Sequence, residues 1–440
     1  MNRGKALSGK AHCDAAEAER HARATWTNPT VQSRTPEFDG FRGIACLMVI
    51  VGHYVCGQLQ TGSGTFPKYV AAALELSWTG VDVFFVLSGF LVGGILLDGR
   101  GRPHATTAFL LRRACRLLPL LYLSIAAMYL FRAFTRGDAS SDALVKLTEG
   151  PIPWWSYVLS IQNIIMVAAR SDGPNWLGIT WSLAIEIQFY LLIAALVHVL
   201  PPARLFTAVA ALVAGALALR LGLTITMTDA IFRSYCNETL LPTRMDTPLI
   251  GVLVAIAVRR PSWRNALERQ STRILQAGVA CAAIVAVMNA LGHRAGTAWM
   301  DTVGLSLIAV GAACALTFLA VRDSSLLHRL CRLKALTAVG TVSYGVYLLH
   351  EPIAGLMHHY LRDQLPRITG GIDALVTLLA FATTLALAAA SWRWFESPII
   401  RASHGLRAGV PSLLGPAGQN VSTRHTADIA AHTAADGGVR

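Results

Sequence analysis

Long apolar stretches alternate with short polar connections along most of the chain. A helix needs about 17–25 apolar residues to cross roughly 30 Å of hydrocarbon. We interpret ten stretches as such spans, at 41–59, 78–97, 117–134, 178–199, 204–222, 246–258, 274–291, 302–321, 338–358 and 374–395. The pattern predicts an all-α polytopic membrane protein with about ten transmembrane helices in one bundle.

One further stretch, WWSYVLSIQNIIMVAA at 154–169, is short for a span and carries Gln162 and Asn163. Arginine-rich connections lie at 98–116, 259–273 and 322–334. All three are expected in the cytoplasm, because short cytoplasmic loops carry an excess of basic residues. That placement requires an even number of crossings between the first two connections. We therefore predict that the stretch is re-entrant or interfacial and that both termini are cytoplasmic.

The two ends of the chain differ from its apolar centre. Residues 1–35 and 401–440 are rich in Ala, Gly, Ser, Thr and His and have no apolar periodicity. This composition is typical of disorder. We expect two disordered cytoplasmic tails that carry no chemistry, flanking one membrane domain at 36–400.

Composition supports the membrane assignment. Charged residues make up 14% of the 440 residues, against roughly 25% in soluble domains, and the mean hydropathy is +0.48. The formal net charge of +13 comes mainly from short connections, so a nucleic-acid partner is not expected. The eight cysteines show neither CxxC spacing nor a metal-ligand cluster, and we predict no metal.

Ionisable residues inside spans are functional candidates because they are costly to insert. Arg42 and His53 are eleven positions apart, which puts them on one helix face about 16 Å apart. The alternative is a snorkelling arginine and a hydrogen-bonded core histidine. Asp82 enters the next span and is a candidate to orient His53, or else an interfacial acid. Glu186 lies in a later span and needs a buried partner.

Three further groups of residues complete the set of candidates. Arg113 and Arg116 share a helix face and are suited to gripping phosphates, although a basic cluster before a span also serves orientation alone. Arg244 and Asp246 are candidate partners for Glu186. His350 lies near the end of its span and is either a site residue or a packing residue capped by Glu351.

Several sequence segments together resemble one known family. They are FDGFRGIACLMVIVGH, GVDVFFVLSGFLVGGILL, RRACRLLP, WSLAIEIQFYLL, TRMDTPLIGVLVA, SYGVYLLHEP and WRWFESPI, in this order from about residue 36 to 400. The chain resembles the acyltransferase 3 family of integral-membrane O-acyltransferases. The resemblance implies a ten-span bundle that moves an acyl group, usually acetyl from cytoplasmic acetyl-CoA or another acyl-CoA, to a hydroxyl group of a glycan or similar acceptor.

The resemblance also implies roles for individual residues. The family's Arg-x10-His pattern falls on Arg42 and His53, and its Arg-x-x-Arg pattern, associated with the acyl donor, falls on Arg113 and Arg116. Acyl transfer to an alcohol needs a base or an acyl carrier and stabilisation of the oxyanion. We expect His53 to be the base or carrier.

The remaining expectations concern the partners of these groups. Arg42 is expected to contact a phosphate or the carbonyl group of the donor. Asp82 or Glu186 is expected to hydrogen-bond to His53 and fix its tautomer. Substrate contacts are expected from Arg244, Asp246 and His350. Acceptors within the family's range are a glycan, a lipid-linked saccharide or a small-molecule alcohol, and the expected location is the bacterial inner membrane.

A transporter of a small anionic substrate is the main alternative function. Polar residues that line a ten-span bundle also describe a transport pathway. No inverted repeat or matched pair of broken helices is visible in the sequence, so the enzyme is preferred.

Overall fold

The computed structural model describes residues 35–59, 74–135 and 142–405, and within these ranges the chain is helical and has no β-strand. The predicted tails lie largely outside the described residues. At the carboxyl end, residues 401–405 belong to a helix that begins at Ser397. The fold class is therefore confirmed as all-α.

The first half of the chain forms helices α1 (Pro36–Val51), α2 (Gly80–Gly99), α3 (Ala105–Thr135), α4 (Asp142–Thr148), α5 (Trp154–Val158), α6 (Gln162–Ala169), α7 (Asn175–Gly178), α8 (Trp181–Val199) and α9 (Pro202–Thr226). The second half forms α10 (Ala230–Thr239), α11 (Leu241–Arg244), α12 (Asp246–Arg259), α13 (Pro261–Arg269), α14 (Ser271–Ala290), α15 (Leu305–Val321), α16 (Leu326–Cys331), α17 (Lys334–Arg362), α18 (Gly371–Ser391) and α19 (Ser397–Gly405). Single π-helical turns extend three of them, at Gly52–Cys56 after α1, Met300–Gly304 before α15 and Trp392–Glu396 after α18.

Eight helical segments in the described part of the chain are long and apolar enough to cross a membrane. They are Pro36–Cys56, Glu75–Gly99, Ala105–Thr135, Asn175–Val199, Pro202–Thr226, Ser271–Ala290, Met300–Val321 and Gly371–Ser403. Each coincides with a predicted span. The other two predicted spans are also helical, but α12 has only 14 residues and α17 is less apolar along its length. The polytopic architecture is confirmed, and the count of ten stays a prediction.

The stretch 154–169 does not form one spanning helix. It folds as α5 and α6, of five and eight residues, which are too short to cross the hydrocarbon. The amides that made the stretch ambiguous are buried and hold it against neighbouring helices. Gln162 Nε2 donates to the Thr180 carbonyl at 2.8 Å, and Asn163 Nδ2 donates to the Thr239 carbonyl at 2.9 Å.

Glycines allow three helix pairs to pack backbone against backbone. A Cβ atom on Gly89 of α2 would lie 1.8 Å from the Pro248 carbonyl oxygen of α12, and one on Gly251 of α12 would lie 2.0 Å from the Val86 carbonyl oxygen. Gly40 and Gly340 play the same part where α1 meets α16 and α17. Small residues at such crossings are a common basis of helix association in membranes.

We expect Gly89→Ala to destabilise the protein by about 1–3 kcal/mol, because the added methyl group forces α2 and α12 apart. The measurement is the thermal unfolding midpoint in detergent, followed by size-exclusion chromatography. Gly215→Ala in α9 is the matched control, since a Cβ atom added there would meet no described neighbour within 4 Å. Equal midpoints for the two variants would contradict the close packing.

Candidate active site

Two neighbouring cavities lie inside the helix bundle. The histidine cavity, of about 700 Å³, contains His53 and Glu351 in its lining, and the arginine pocket, of about 100 Å³, contains Arg42, Arg113 and Arg116 in its lining. Helices α1, α2, α8 and α17 with their terminal turns contribute side chains to both. Val81 lines both spaces. The two cavities are therefore adjacent at this residue.

His53 and Glu351 form a hydrogen-bonded pair in the histidine cavity. His53 lies on the π-helical turn Gly52–Cys56, and its Nδ1 contacts Glu351 Oε1 on α17. The two side chains are 38% and 21% exposed, so the pair faces the cavity. With Nδ1–H donated to the carboxylate, Nε2 is the nitrogen left to accept a proton. This geometry is suited to a general base that is oriented by an acid.

His350 packs against the His53–Glu351 pair and does not line either cavity. Its ring is fully buried and lies edge-on to the His53 ring, with 5.0 Å between centroids. Its Nδ1–H donates to the Tyr347 carbonyl at 2.6 Å. The predicted role of His350 as a substrate contact thus has no geometric support, whereas its alternative role in packing fits.

One nitrogen each of His53 and His350 and one oxygen of Glu351 lie within 4.8 Å of one another. Two imidazoles and a carboxylate at this spacing have the composition of a possible metal site. The expectation of a metal-free site stays a prediction.

The arginine pocket brings together the three arginines singled out from the sequence. Arg42 donates to Asp39 at 2.9 Å and keeps 22% of its side chain exposed. Arg113 Cζ lies 5.6 Å from the ring centroids of both Phe109 and Tyr190. These rings hold the guanidinium group without neutralising it.

Arg116 is positioned in the same manner. Its Cζ lies 5.6 Å from the centroid of Trp392, which begins the π-helical turn after α18. Glu186 is the carboxylate that lines the pocket beside the three cations. The pocket is therefore electropositive, and it is suited to an anionic group.

Glu186 has partners other than those expected. It accepts hydrogen bonds from the hydroxyl groups of Ser88, at 3.0 Å, and Tyr190. The expected partners Arg244 and Asp246 make ion pairs elsewhere. Hydroxyl donors from α2 and from the next turn of α8 satisfy this carboxylate, so the expected pairing with Arg244 is wrong.

Asp82 does not orient His53, contrary to the sequence-based expectation. It is fully buried, and its Oδ1 lies 2.9 Å from Nη2 of Arg244 on α11. A buried carboxylate needs a cation or several donors to offset its desolvation, and Arg244 supplies the charge. Both residues line the histidine cavity.

Asp246 lines neither cavity. Its carboxylate is bound in two-pronged fashion by Arg220, with distances of 2.8 and 2.6 Å, and also accepts from Ser306 at 3.2 Å. Arg220 and Asp246 are both almost fully buried. The pair connects α9, α12 and α15, so Asp246 has a structural place here and not the expected contact with substrate.

Sequence reasoning missed Glu351 as a partner of His53. The signal available was the dipeptide His350-Glu351 before Pro352, in which an acid follows a histidine inside an apolar span. That signal directed attention to the neighbour in sequence, whereas the partner in space is 298 positions away.

Comparisons with known proteins add independent findings. The sequence model of a family described as an acyltransferase domain matches residues 35–393. The chain is 28% identical over 392 residues to the peptidoglycan O-acetyltransferase OatA of Listeria monocytogenes, covering 83% of this chain and 55% of the relative. It is 26% identical over 398 residues to the O-acetyltransferase OatA of Staphylococcus aureus, covering 86% and 59%. The chain thus spans little more than half the length of these relatives. No solved structure matches it.

Proposed function

The chain belongs to the acyltransferase-domain family, and from that premise we propose that it is a membrane O-acetyltransferase that moves an acetyl group from acetyl-CoA to a hydroxyl group of a glycan. The donor enters the arginine pocket and the acceptor enters the histidine cavity. The observation that carries the proposal is the His53–Glu351 pair, which faces the larger cavity, adjacent at Val81 to the pocket that the three arginines line.

His53 activates the acceptor. Its Nε2 takes the proton of the acceptor hydroxyl group while the hydroxyl oxygen attacks the thioester carbonyl. Glu351 holds Nδ1–H and stabilises the imidazolium that forms. The tetrahedral intermediate then collapses, the C–S bond breaks, and the imidazolium returns its proton to the departing CoA thiolate. A relay in which Nε2 first carries the acetyl group uses the same two side chains.

The arginine pocket accepts only the reactive end of the donor. With a cavity volume of about 100 Å³, the pocket is too small for the whole of CoA, and we place only the acetyl thioester end of the donor there. The larger nucleotide part of CoA lies outside, where Arg113 and Arg116 contact its phosphates. Arg42 contacts a donor phosphate or the thioester carbonyl.

Orientation follows from the basic connections. The connections 98–116 and 259–273 carry clustered arginines, which favours the cytoplasm for the face bearing Arg113 and Arg116. The histidine cavity then faces the outside of the inner membrane. Relatives named as peptidoglycan O-acetyltransferases make peptidoglycan the first acceptor to test, followed by lipid-linked saccharides and small alcohols.

The full chain in phospholipid nanodiscs, supplied with acetyl-labelled acetyl-CoA and soluble peptidoglycan fragments, is expected to form alkali-labile acetyl ester and free CoA in equal amounts. Absence of both products with every acceptor class and with longer acyl-CoA donors would overturn the proposal. Uptake of an unmodified anion by proteoliposomes without ester formation would favour the transporter.

We expect Glu351→Gln to lower kcat by roughly 10–100-fold with little change in KM for acetyl-CoA, because the orienting carboxylate of the base is lost. Glu351→Asp should recover part of the rate, since it restores the charge. Steady-state CoA release measures both constants. An unchanged kcat in the glutamine variant would show that the pair plays no part in transfer.

A further inference from the structure

Part of the lining of the histidine cavity is acidic and belongs to elements that carry none of the proposed transfer residues. Asp172, from the connection after α6, and Tyr235 and Glu238, from α10, line the cavity. The Tyr235 hydroxyl group lies close to the Asp172 carboxylate. The mechanism above uses none of these three side chains, so their presence around a large cavity calls for a separate explanation.

Charge in the cavity is unbalanced. Among the described residues, four carboxylates line it, those of Asp82, Asp172, Glu238 and Glu351, against the single guanidinium group of Arg244. Arg244 is already paired with Asp82 at 2.9 Å. The field inside the cavity is therefore negative, which disfavours an anionic occupant.

Arg244 presents unused donors to the same cavity. It is 1% exposed, and its Nε and Nη1 atoms have no hydrogen-bond partner among the residues that the structure describes. Buried donors are almost always paired in native structures. A bound oxygen atom from a ligand would satisfy them, and an uncharged oxygen suffices because Asp82 already supplies the counter-charge.

Aromatic side chains complete the lining. Trp78, before α2, and Trp181, at the start of α8, both line the cavity. The cavity thus offers large aromatic rings, carboxylates that accept hydrogen bonds and a guanidinium group that donates them. These groups are complementary to a molecule with apolar ring faces and a polar edge of hydroxyl groups. A sugar ring has this chemistry.

We propose that Asp172, Tyr235, Glu238 and the Arg244–Asp82 pair form an acceptor subsite that takes an uncharged sugar and rejects sugars bearing a carboxylate. The carboxylates accept hydrogen bonds from sugar hydroxyl groups, and Arg244 donates to a ring or substituent oxygen. The subsite rests on the proposed function only in that its occupant is the acceptor of transfer.

The selectivity depends on pH in a defined direction. Burial raises the pKa of Glu238 to about 7, with the carboxylates of Asp301, Asp172 and Asp82 acting in the same direction and Arg244 opposing them. Glu238 therefore gains its negative charge as the pH rises through about 7. Discrimination against anionic sugars strengthens above this pH and weakens below it.

The test compares the pentamer of N-acetylglucosamine with the same pentamer oxidised to carboxylates at carbon 6. Binding to the full chain in nanodiscs is measured by titration calorimetry at pH 8 and pH 6. We expect the neutral pentamer to bind at least about tenfold more tightly at pH 8, the size of one unfavourable charge contact. The ratio of the two dissociation constants should be smaller at pH 6 than at pH 8.

Three variants give the result its meaning. The double variant Asp172→Asn, Glu238→Gln keeps the shape of both side chains and removes their charge. Its dissociation constants for the two pentamers should differ by no more than about threefold, because the oxidised pentamer binds more tightly than it does to the wild type. Arg244→Lys should weaken binding of the neutral pentamer by about tenfold. Arg220→Lys is its matched control, equally buried and ion-paired but absent from the cavity lining.

Some outcomes would overturn the subsite and leave the enzyme intact. Equal binding of the two pentamers by the wild type, binding of neither, or unchanged discrimination in the double variant each contradicts the subsite. Ester formation measured on the same samples judges the proposed function separately. Transfer without charge discrimination would refute the subsite alone. Charge discrimination without transfer would uphold the subsite, while the acetyltransferase is judged by the assay with every acceptor class and with longer acyl-CoA donors.

Discussion

His53→Ala should abolish measurable acetyl transfer, with kcat lower by about 10²–10⁴-fold and an almost unchanged KM for acetyl-CoA. In the proposed mechanism the imidazole of His53 is the base or acyl carrier, and Glu351 acts only by holding that imidazole. The proposed donor site is the arginine pocket, whose lining does not include His53, so KM for the donor should change little. Release of CoA with a saturating glycan acceptor measures the loss.

The control for this variant is His198→Ala, an exposed histidine at the end of α8. It should retain wild-type kcat. Both variants are compared at equal amounts of monodisperse protein, so that a folding defect is not counted as a catalytic one. Full transfer by His53→Ala would refute the proposed chemistry while leaving family membership untouched.

The double variant Arg113→Ala, Arg116→Ala should raise KM for acetyl-CoA by about 10²–10³-fold and change kcat at saturation much less. In the proposed mechanism each guanidinium group makes charge-assisted hydrogen bonds to donor phosphates, and neither contacts the reacting hydroxyl group. The aromatic rings around them stay in place and preserve the pocket. Steady-state kinetics with acetyl-CoA and with the small donor S-acetyl-cysteamine, which lacks phosphates, separates the two effects.

The small donor gives the decisive comparison. Wild type and the double variant should use it equally well, because it offers no phosphate to either. Arg269→Ala at the exposed end of α13 controls for a general loss of positive charge and should leave KM unchanged. If KM for acetyl-CoA is the same in the double variant and the wild type, Arg113 and Arg116 do not bind the phosphates of CoA.

Much of the architecture could be predicted from local patterns. The apolar runs located all eight membrane-length helices, and the polar amides Gln162 and Asn163 with the charge-parity argument excluded a span at 154–169. These features depend on how each segment partitions between water and hydrocarbon. Partitioning is decided within about 20 residues of sequence.

The composition of the site could be predicted only in part. Arg42, Arg113 and Arg116 were expected near the donor and do line one pocket. Asp82 and Arg244 were recognised as unusual, but their pairing with each other was not foreseen. An ionisable residue in an apolar span can be recognised from the sequence because it is costly to insert into the membrane. The insertion cost does not identify the residue that pairs with it.

Local patterns in the chain were thus enough to predict the class of protein, its helices and the ionisable side chains whose insertion into a membrane is costly. The pairings of those side chains followed only from the packed bundle. His53 meets Glu351 across 298 positions of sequence, Asp82 meets Arg244, and Arg220 binds Asp246. The physical reason is that a helix displays its polar residues in all directions at fixed spacing, whereas their partners are set by the rotation and depth at which the helices pack.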